Sequence, residues 1–523
     1  MKAIFTTWTR GNDRSFLLAA LTLATLAQAI PLRAAEATSH SPATRPLKLS
    51  DCFQLALEHN LDLKIERQNN RIDQATLYGS YGAYDPTLKV SATQSRLDAP
   101  EIFDIKKSSL ADARQKIDTG LLSGGIGGKL PTGGTYDLGG NLTKWRAFGD
   151  LRNFGLGDIW RTNEYGVSSA FSLSQPLLRN LWIDQDRLHV QVSKKQLKVS
   201  EMALLSKMMS VTRDVQKAYL ELGYAQRLVE LYLTHHDHAN RLLQEVRSRI
   251  QTGTLPPLEE KLFDFAVQTT GADLAQAQRE LGDAQSALRN LVTEDLKDWM
   301  SVVPLATDPL GEIEEQFNQV ESWRDAMTKR PEIRQMQLDL EKQDIVLRYS
   351  RNQLYPSLDL VASYGLSGVN PSLGTAGGDV ANGDHSSYSY GVVMSVPLSN
   401  RSARGRYRAN REAKEQSILR MKKLEMEVLT SVETAGRLMT ASYQRLAPAQ
   451  KAIELAEQVV QSEEAKIRLS QTTSFNAVEA RRRLVNSQIT HLRALTEYNK
   501  ARAEHAFTQG EILDQNSINV DFK

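Results

Sequence analysis

Apolar residues recur at helical spacing over two very long segments of the chain. No proline occurs between Pro176 and Pro256, and apolar positions there alternate spacings of four and three residues, the heptad pattern of packed helices. This pattern predicts a helix over 184–250, about 100 Å long at 1.5 Å per residue. A second seam, over 428–467, contains Pro448, which predicts a kink or a packing irregularity. The first seam consists of Leu204, Met208, Val211, Val215, Ala218, Leu222, Ala225, Val229 and Tyr232.

Four shorter segments alternate apolar with small polar residues. Period-two alternation indicates a strand with two unlike faces. The predicted strands lie near 87–97, 165–175, 357–367 and 387–397. Each half of the chain therefore contributes a hairpin.

The two halves are copies of one unit. An offset of 270 residues aligns Pro86 with Pro356, and an offset of 221 aligns Pro176 with Pro397. Because the landmark prolines are farther apart in the first copy, that copy carries an insertion of about 49 residues, rich in glycine. Each copy reads as helix, strand, strand, long helix and returning helix. The predicted divisions are a first repeat over 49–294 with an enlarged hairpin at 98–164, a connection over 295–318, a second repeat over 319–508 and a tail over 509–523.

Each repeat opens with a helical segment that is interrupted early. These segments cover about 51–82 and 319–351 and contain little proline. Asn60 interrupts the first, and Arg330-Pro331 interrupts the second. We expect a short helix followed by a longer one in each case.

The amino terminus has the features of a secretory signal peptide. Lys2, Arg10 and Arg14 precede an apolar run, and Ala27-Gln28-Ala29 supplies a cleavage site. We expect 1–29 to be removed and 30–48 to be a linker, with a membrane anchor as the alternative. Cys52 is the single cysteine, so no intrachain disulfide can form, and lipidation at this residue is the less favoured alternative to a free thiol.

Composition restricts the class of protein. The chain has 523 residues, with 64 Lys and Arg against 62 Asp and Glu, so its net charge of +2 indicates no nucleic-acid partner. A bundle of membrane helices would need about 20 consecutive apolar residues in each helix, which excludes helical transporters. The strands of a membrane β-barrel are only half apolar, so the composition does not exclude a β-barrel membrane protein. Four strands per chain cannot close a barrel of about eight strands, whereas three chains would supply twelve.

Several motifs, in duplicated order, resemble the signatures of TolC-like outer membrane efflux proteins, and the match covers about 49–508. The resemblance implies an α+β channel-tunnel: a homotrimer with a twelve-stranded β-barrel in outer-membrane lipid and a long periplasmic α-helical barrel. It also implies a passive exit duct of an efflux or type I secretion system, docking a periplasmic adaptor and an inner-membrane pump or ABC exporter. The motifs are Leu49-Ser50-Asp51 followed by a helix with Ala56 and Asn60, Tyr84-Asp85-Pro86-Thr87-Leu88, Gln175-Pro176-Leu177, Arg330-Pro331-Glu332-Ile333, Tyr355-Pro356-Ser357-Leu358 and Val396-Pro397-Leu398.

In this family the helix-turn-helix tips dock the adaptor. Here the tips are Gly253-Thr254-Leu255 and Thr473-Ser474-Phe475, and Leu255 aligns with Phe475 at an offset of 220. The two apolar residues are predicted to contact an adaptor, and the alternative is that they pack one tip helix on the other. Gly253 provides the permissive backbone for the reversal.

The periplasmic entrance lies next to the second tip. Some efflux members carry two aspartates that bind a cation there, but the matching positions look like Ala477 and Ala480, with Glu479 the nearest carboxylate. Basic residues predict an anion-tolerant entrance, and a solvated helix face paired with Glu479 is the equal alternative. These residues are Arg468, Arg481, Arg482 and Arg483.

Three other patterns are not interpreted as metal-binding, phosphate-binding or catalytic sites. His235, His236 and His238 point in different directions on a helix, which disfavours one shared ion. Gly127-Gly128-Lys129 lacks the remaining residues of a phosphate-binding loop. No serine, histidine and carboxylate constellation occurs in a supporting motif, so we expect no enzyme, no cofactor and no metal.

An arginine cluster follows the last strand. It is predicted either to meet lipid phosphates at the membrane edge or to pair with Asp184, Asp186 and other acidic residues. The cluster consists of Arg401, Arg404, Arg406, Arg408 and Arg411.

The rival hypothesis is a periplasmic coiled-coil structural or adaptor protein with a small soluble strand domain. It does not explain why two helix-strand-strand-helix units, each with one apolar strand face, are duplicated. The sequence does not identify the cargo: drugs, metal ions, secreted polypeptides and oligosaccharides all remain open.

Overall fold

The fold is described from a computed structural model. It describes residues 43–99, 102–104, 109–111, 115–149, 160–295, 299–300, 302–309, 311–312, 314–468 and 474–518. The predicted signal peptide and most of the predicted linker lie outside these residues.

Helices make up most of the described chain. The first repeat contains α1 (Leu49–His59), α2 (Leu61–Ser80), α3 (Gln185–Gln251) and α4 (Leu258–Val292). The second contains α5 (Gln319–Lys329), α6 (Pro331–Asn352), α7 (Leu373–Asn382), α8 (Arg401–Gln444), α9 (Leu446–Arg468), α10 (Ser474–Gln509) and α11 (Ile512–Gln515). With 67 residues, α3 confirms the predicted helix of about 100 Å.

The helix interruptions predicted from the sequence are present and have local causes. Asn60 separates α1 from α2, and its side chain accepts a hydrogen bond from the Leu63 amide at 3.2 Å, capping α2. Pro331 is the first residue of α6, where a missing amide hydrogen costs nothing. Between α8 and α9 the helix breaks at Arg445, because Pro448 has no amide to donate to the carbonyl of Gln444.

One antiparallel sheet of six strands joins the two repeats. Its strands are β2 (Thr87–Ala99), β5 (Gln115–Lys129), β6 (Thr135–Gly149), β7 (Trp160–Pro176), β9 (Ser357–Asn370) and β10 (Ser386–Ser395), in that spatial order. A short ribbon of β3 (Ile102–Asp104) and β4 (Ser109–Ala111) lies in the connection between β2 and β5.

The prediction of four strands per chain was therefore too low. The missing strands, β5 and β6, come from the predicted enlarged hairpin, 98–164. Gly124, Gly128 and Gly140 occupy positions on the apolar face of these strands. Because glycine has no side chain, the alternation of apolar and polar residues that predicts a strand is weak there. Gly125 and Gly139 face each other across the ladder, and a Cβ on Gly125 would lie 3.0 Å from the Gly139 Cα atom.

A second, parallel pair of strands joins two segments that were not predicted to pair. β1 (Ala43–Leu47) lies in the predicted linker and pairs with β8 (Val302–Ala306) in the predicted inter-repeat connection. The buried Tyr219 of α3 holds this pair, because its hydroxyl lies 3.0 Å from the Leu47 carbonyl and 3.1 Å from the Asp308 amide.

The largest hydrophobic core lies where α1, α2, α3 and α4 meet. Leu222 and Leu288 are fully buried there, next to Cys52. Burial, followed by the charge of Asp51, raises the pKa of the Cys52 thiol to about 12. Among the described helices, none is both long and apolar enough to cross a bilayer.

Candidate functional site: the helical tips and the two-faced sheet

The first tip is a tight reversal between α3 and α4. Gly253 adopts a left-handed backbone with φ of +75°, and its amide donates to the Ile250 carbonyl at 2.9 Å. Thr254 closes the turn, since both its amide and its hydroxyl donate to the Arg249 carbonyl. A rigid turn of this kind presents the following residues in a fixed direction.

Two apolar residues after this turn have different surroundings. Leu255 is half-buried and packs against a cluster formed by Ala239, Leu243, Val246, Phe263 and Val267. Leu258, three residues later, is 80% exposed. Leu255 thus has the packing role that was the alternative in the sequence interpretation, and Leu258 is an exposed residue that the sequence interpretation did not single out.

The second tip reverses this arrangement. Phe475, the counterpart of Leu255, is 58% exposed, whereas Val478, the counterpart of Leu258, packs against the first-tip cluster. Ser474 begins α10, and Thr473 lies outside the described residues. Each tip therefore has one apolar residue that is packed and one that faces outward.

Arg481 of the predicted entrance is bound between helices. Its guanidinium donates to the Glu464 carboxylate at 2.8 Å and to His238 Nε2 at 2.7 Å. Because His238 Nε2 accepts, this ring is neutral with its proton on Nδ1. Burial, followed by the charge of Arg481, lowers the pKa of His238.

The other entrance residues are more open. Glu479 pairs with Arg483 at 3.4 Å on an exposed face of α10, and Arg482 is exposed. Arg468 is the last residue of α9. Of the predicted basic residues, Arg481 therefore joins α3, α9 and α10, while Arg482 projects outward.

Two of the three neighbouring histidines, His236 and His238, have separate partners. His236 lies 3.0 Å from the Thr270 hydroxyl, and His238 bonds Arg481. Within the described part of the chain, no group of three or more His, Cys, Asp or Glu residues is arranged to hold a metal ion.

The six-stranded sheet has one apolar and exposed face. This face runs without a break across the sheet, and the strand register places its residues in adjacent rows. Between Leu358 and Leu366 the band extends about 27 Å along β9, or about 19 Å at a 45° tilt, against about 25 Å for the lipid-facing band of membrane strands. At Gly368 the same face is covered by Ala376 of α7. Its exposed members include Leu88, Val90, Leu122, Ile126, Leu138, Phe171, Leu360, Tyr364, Tyr388, Tyr390, Val392 and Met394.

The opposite face carries mainly hydroxyl, glycine and amide groups. Ser91 and Ser123 are partners across β2 and β5, with their hydroxyl oxygens 2.6 Å apart. A depression of about 600 Å³ lies against this face beside Lys89 and Ser389. The sheet can therefore separate lipid from water.

The arginine cluster at the start of α8 remains exposed. The predicted acidic partners are engaged elsewhere, since Asp184 pairs with Arg187 at 3.1 Å and Asp186 with Lys129 at 2.6 Å. All five arginines lie on the first three turns of the helix that follows β10: Arg401, Arg404, Arg406, Arg408 and Arg411.

Comparison with known proteins supports the predicted fold. Residues 323–506, within the second repeat, match the family described as Outer membrane efflux protein. This is a transport family, not a family of enzymes. Among curated proteins, no sequence matches the chain significantly.

Solved outer-membrane channels share the fold along nearly the whole chain. The Campylobacter jejuni CmeC outer membrane channel matches with a TM-score of 0.65 and 15% identity, covering 91% of this chain and 90% of that one. The Vibrio cholerae outer membrane protein VceC matches with a TM-score of 0.62 and 14% identity, covering 88% of this chain and 96% of that one. The Neisseria gonorrhoeae MtrE outer membrane channel matches with a TM-score of 0.61 and 15% identity, covering 89% of each chain. The predicted resemblance to TolC-like proteins and the predicted α+β fold are confirmed.

Proposed function

We propose that this chain, which has the fold of outer-membrane channels, forms a homotrimeric exit duct in the bacterial outer membrane. One observation carries the proposal: a sheet with an exposed apolar face is joined through the short segment 177–184 to a helix of 67 residues. Exposed to water, this apolar face would promote aggregation. Apolar side chains of this kind are expected on the surface of a membrane β-sheet that contacts lipid.

The strands account for the membrane part of the duct. Apolar side chains of the outward face meet lipid, while Ser91, Ser123 and the rest of the polar face line water. The arginines that open α8 lie where the wall leaves the membrane, and they meet lipid phosphates there. Trimer formation removes the open sheet edges, which do not persist within hydrocarbon.

The helices account for the periplasmic part. At about 100 Å, α3 is long enough to reach far from the membrane, and α8 with α9 gives the second repeat a helical column of similar reach. Heptad seams on these helices pack neighbouring columns side by side into a tube. The duct supplies no energy of its own.

The tips account for docking of a periplasmic adaptor that belongs to an inner-membrane pump or ABC exporter. Leu258 and Phe475 each expose an apolar side chain at the start of a helix, α4 and α10 respectively. Helix-turn-helix tips with exposed apolar anchors suit packing against helices of a partner. Arg482 and the Glu479–Arg483 pair border this end with charge.

Location and assembly provide the first experiment. The full-length protein is expressed with a carboxyl-terminal affinity tag, the inner and outer membranes are separated on a density gradient, and the detergent extract is examined by native mass spectrometry. We expect the outer-membrane fraction to contain a species of three chains. A soluble periplasmic monomer would contradict the proposal and favour the rival structural or adaptor role.

A further inference from the structure

The glycine-rich insertion of the first repeat is built into the sheet instead of projecting from it. Every residue of β2, from Thr87 to Ala99, has a register partner on β5, and every residue of β6 has partners on both β5 and β7. Among the described strands, β2 and β7 are not neighbours, because β5 and β6 lie between them.

We infer that β5 and β6 are part of the pore wall, so that three copies of the chain close an eighteen-stranded bore that admits bulkier solutes than a twelve-stranded one would. The inference rests on the proposed trimeric channel. It adds that the insertion determines the width of that channel.

The face pattern of the inserted strands agrees with that of the other four. Leu122 of β5 and Leu142 of β6 lie in one row with Val167 of β7 on the apolar face. Four residues farther along these strands, Ile126 and Leu138 form another apolar pair on the same face, and each side chain is about half exposed. A hairpin that projected from the pore wall into water would not be expected to have an apolar face aligned with that of the other strands.

The polar face is continuous as well. Register places Ser91, Ser123, Asn141 and Ser168 at one height on β2, β5, β6 and β7. Four small polar side chains in one row are suited to a water-filled interior. Both faces of β5 and β6 are therefore those of wall strands.

The two remaining edges of the sheet are suited to joining copies of this chain. In the described sheet, β2 and β10 each have one neighbour. Leu88 and Val90 on β2, and Tyr388 and Tyr390 on β10, are 69% to 81% exposed. A second copy that pairs its β10 with this β2 satisfies the open backbone groups, and three such contacts close a ring.

The width of the bore follows from the strand number. With strands about 4.8 Å apart and tilted by about 40°, eighteen strands enclose a backbone diameter of about 36 Å, against about 24 Å for twelve. The ratio of about 1.5 depends only on the strand count, since spacing and tilt are common to both.

Engineered disulfides test the strand order in the intact protein. Ser91→Cys with Ser123→Cys joins neighbours in the six-stranded sheet, whereas Ser91→Cys with Ser168→Cys joins strands that are adjacent only if β2 pairs directly with β7. Ser363→Cys with Ser389→Cys is the matched control, because those hydroxyls lie 2.8 Å apart on β9 and β10 and this pairing exists in both arrangements. Cys52 does not interfere, since it is fully buried with a strongly raised pKa.

We expect the Ser91–Ser123 pair to cross-link in outer-membrane trimers to the same extent as the control pair, and the Ser91–Ser168 pair not to cross-link. A Ser91–Ser168 disulfide at the control level would overturn the inference and leave the trimeric channel intact. Absence of an outer-membrane trimer would overturn both the inference and the proposed function.

A deletion of 101–149 tests the width. It removes β3, β4, β5 and β6 and leaves 150–159 to connect β2 with β7. Polyethylene glycols of graded size are added only on the barrel side of single channels in a planar bilayer, so that the periplasmic end does not limit their entry. The largest polymer that lowers the wild-type conductance should have a hydrodynamic radius at least about 1.5-fold that for the deletion variant, because side chains narrow both lumens by the same thickness, and equal cutoffs would contradict the inference. If the variant does not assemble, the disulfide pairs decide the question.

Discussion

Leu255 and Phe475 occupy equivalent positions in the two repeats, yet Leu255 packs in the tip cluster and Phe475 is 58% exposed. The third residue after each shows the opposite arrangement: Leu258 points outward, whereas Val478 joins the cluster with Leu255. The duplicated sequence therefore yields two tips that pack together through one residue each and expose the other.

Serine substitutions at the tips should separate docking from packing. Leu258→Ser and Phe475→Ser should change stability by less than about 0.5 kcal/mol because both side chains are exposed. If each is an anchor for the adaptor, each should weaken docking by about fivefold or more, the effect of losing about 1 kcal/mol. The measurement is export by a strain that carries the variant as its only copy, together with the thermal stability of the purified trimer.

Leu255→Ser is the matched control for this comparison. It removes a packed side chain of the same type, so it should destabilise the tip by about 1–2 kcal/mol. A photo-cross-linking residue at 258 or 475 should capture the adaptor in cells, and one at 255 should not. Normal export with both exposed residues replaced would remove them from the docking surface.

Tyr219 should be a key residue for the parallel strand pair. Its buried hydroxyl lies within 3.1 Å of the Leu47 carbonyl, the Asp308 carboxylate and two backbone amides, and burial raises its pKa. Tyr219→Phe removes the oxygen that accepts from the Thr307 and Asp308 amides, which costs about 1–3 kcal/mol. Hydrogen exchange at 43–47 and 302–306 should become faster, and the melting temperature should fall.

Tyr232→Phe serves as the control on the same helix. The Tyr232 side chain is half-buried, and within the described residues its hydroxyl makes no hydrogen bond. This substitution should change stability by less than about 0.5 kcal/mol. Equal effects of the two substitutions would mean that the Tyr219 hydroxyl does not hold the strands.

His505 should make the protein less stable at mildly acidic pH. The ring is 5% exposed, packs edge to face against Phe317 with centroids 5.4 Å apart, and has a pKa lowered mainly by burial, although Glu315 and Glu511 oppose this shift. In the unfolded chain the ring binds a proton below about pH 6.5, while the folded chain resists protonation. Stability should therefore be unaffected above that pH and should decrease as the pH falls below it.

Comparing melting temperatures at pH 7.5 and 5.5 isolates this effect. His505→Gln should reduce the acid-induced decrease, because the buried titrating group is gone. His189→Gln should leave the decrease unchanged, because this ring is exposed on α3. The hypothesis fails if the two variants lose stability on acidification to the same degree as the unsubstituted protein.

Local backbone chemistry explains what the sequence predicted well. Asn60, Pro331 and Pro448 each interrupt a helix by a mechanism that acts within one turn, so their effects are visible without the fold. The long heptad seams likewise define α3 by periodicity alone. Strong apolar alternation identified four of the six strands of the large sheet.

The features that the sequence did not reveal depend on distant partners. Glycine at Gly124 and Gly140 weakens the period-two pattern of β5 and β6, and only pairing with β2 and β7 makes strands of them. Pro46 and Pro304 obscure β1 and β8, which are held by Tyr219 of another element. Nothing in the repeat could distinguish Leu255 from Phe475, because their difference arises where the two tips meet.

Planar-bilayer recording of the purified trimer tests the central claim most directly. Because the proposed duct is a water-filled tube lined mainly by hydroxyl and amide groups, the full-length protein should produce discrete, long-lived conductance steps without any added energy source. A trimer that inserts in the bilayer but produces no conductance above that of a lipid-only control would contradict the account.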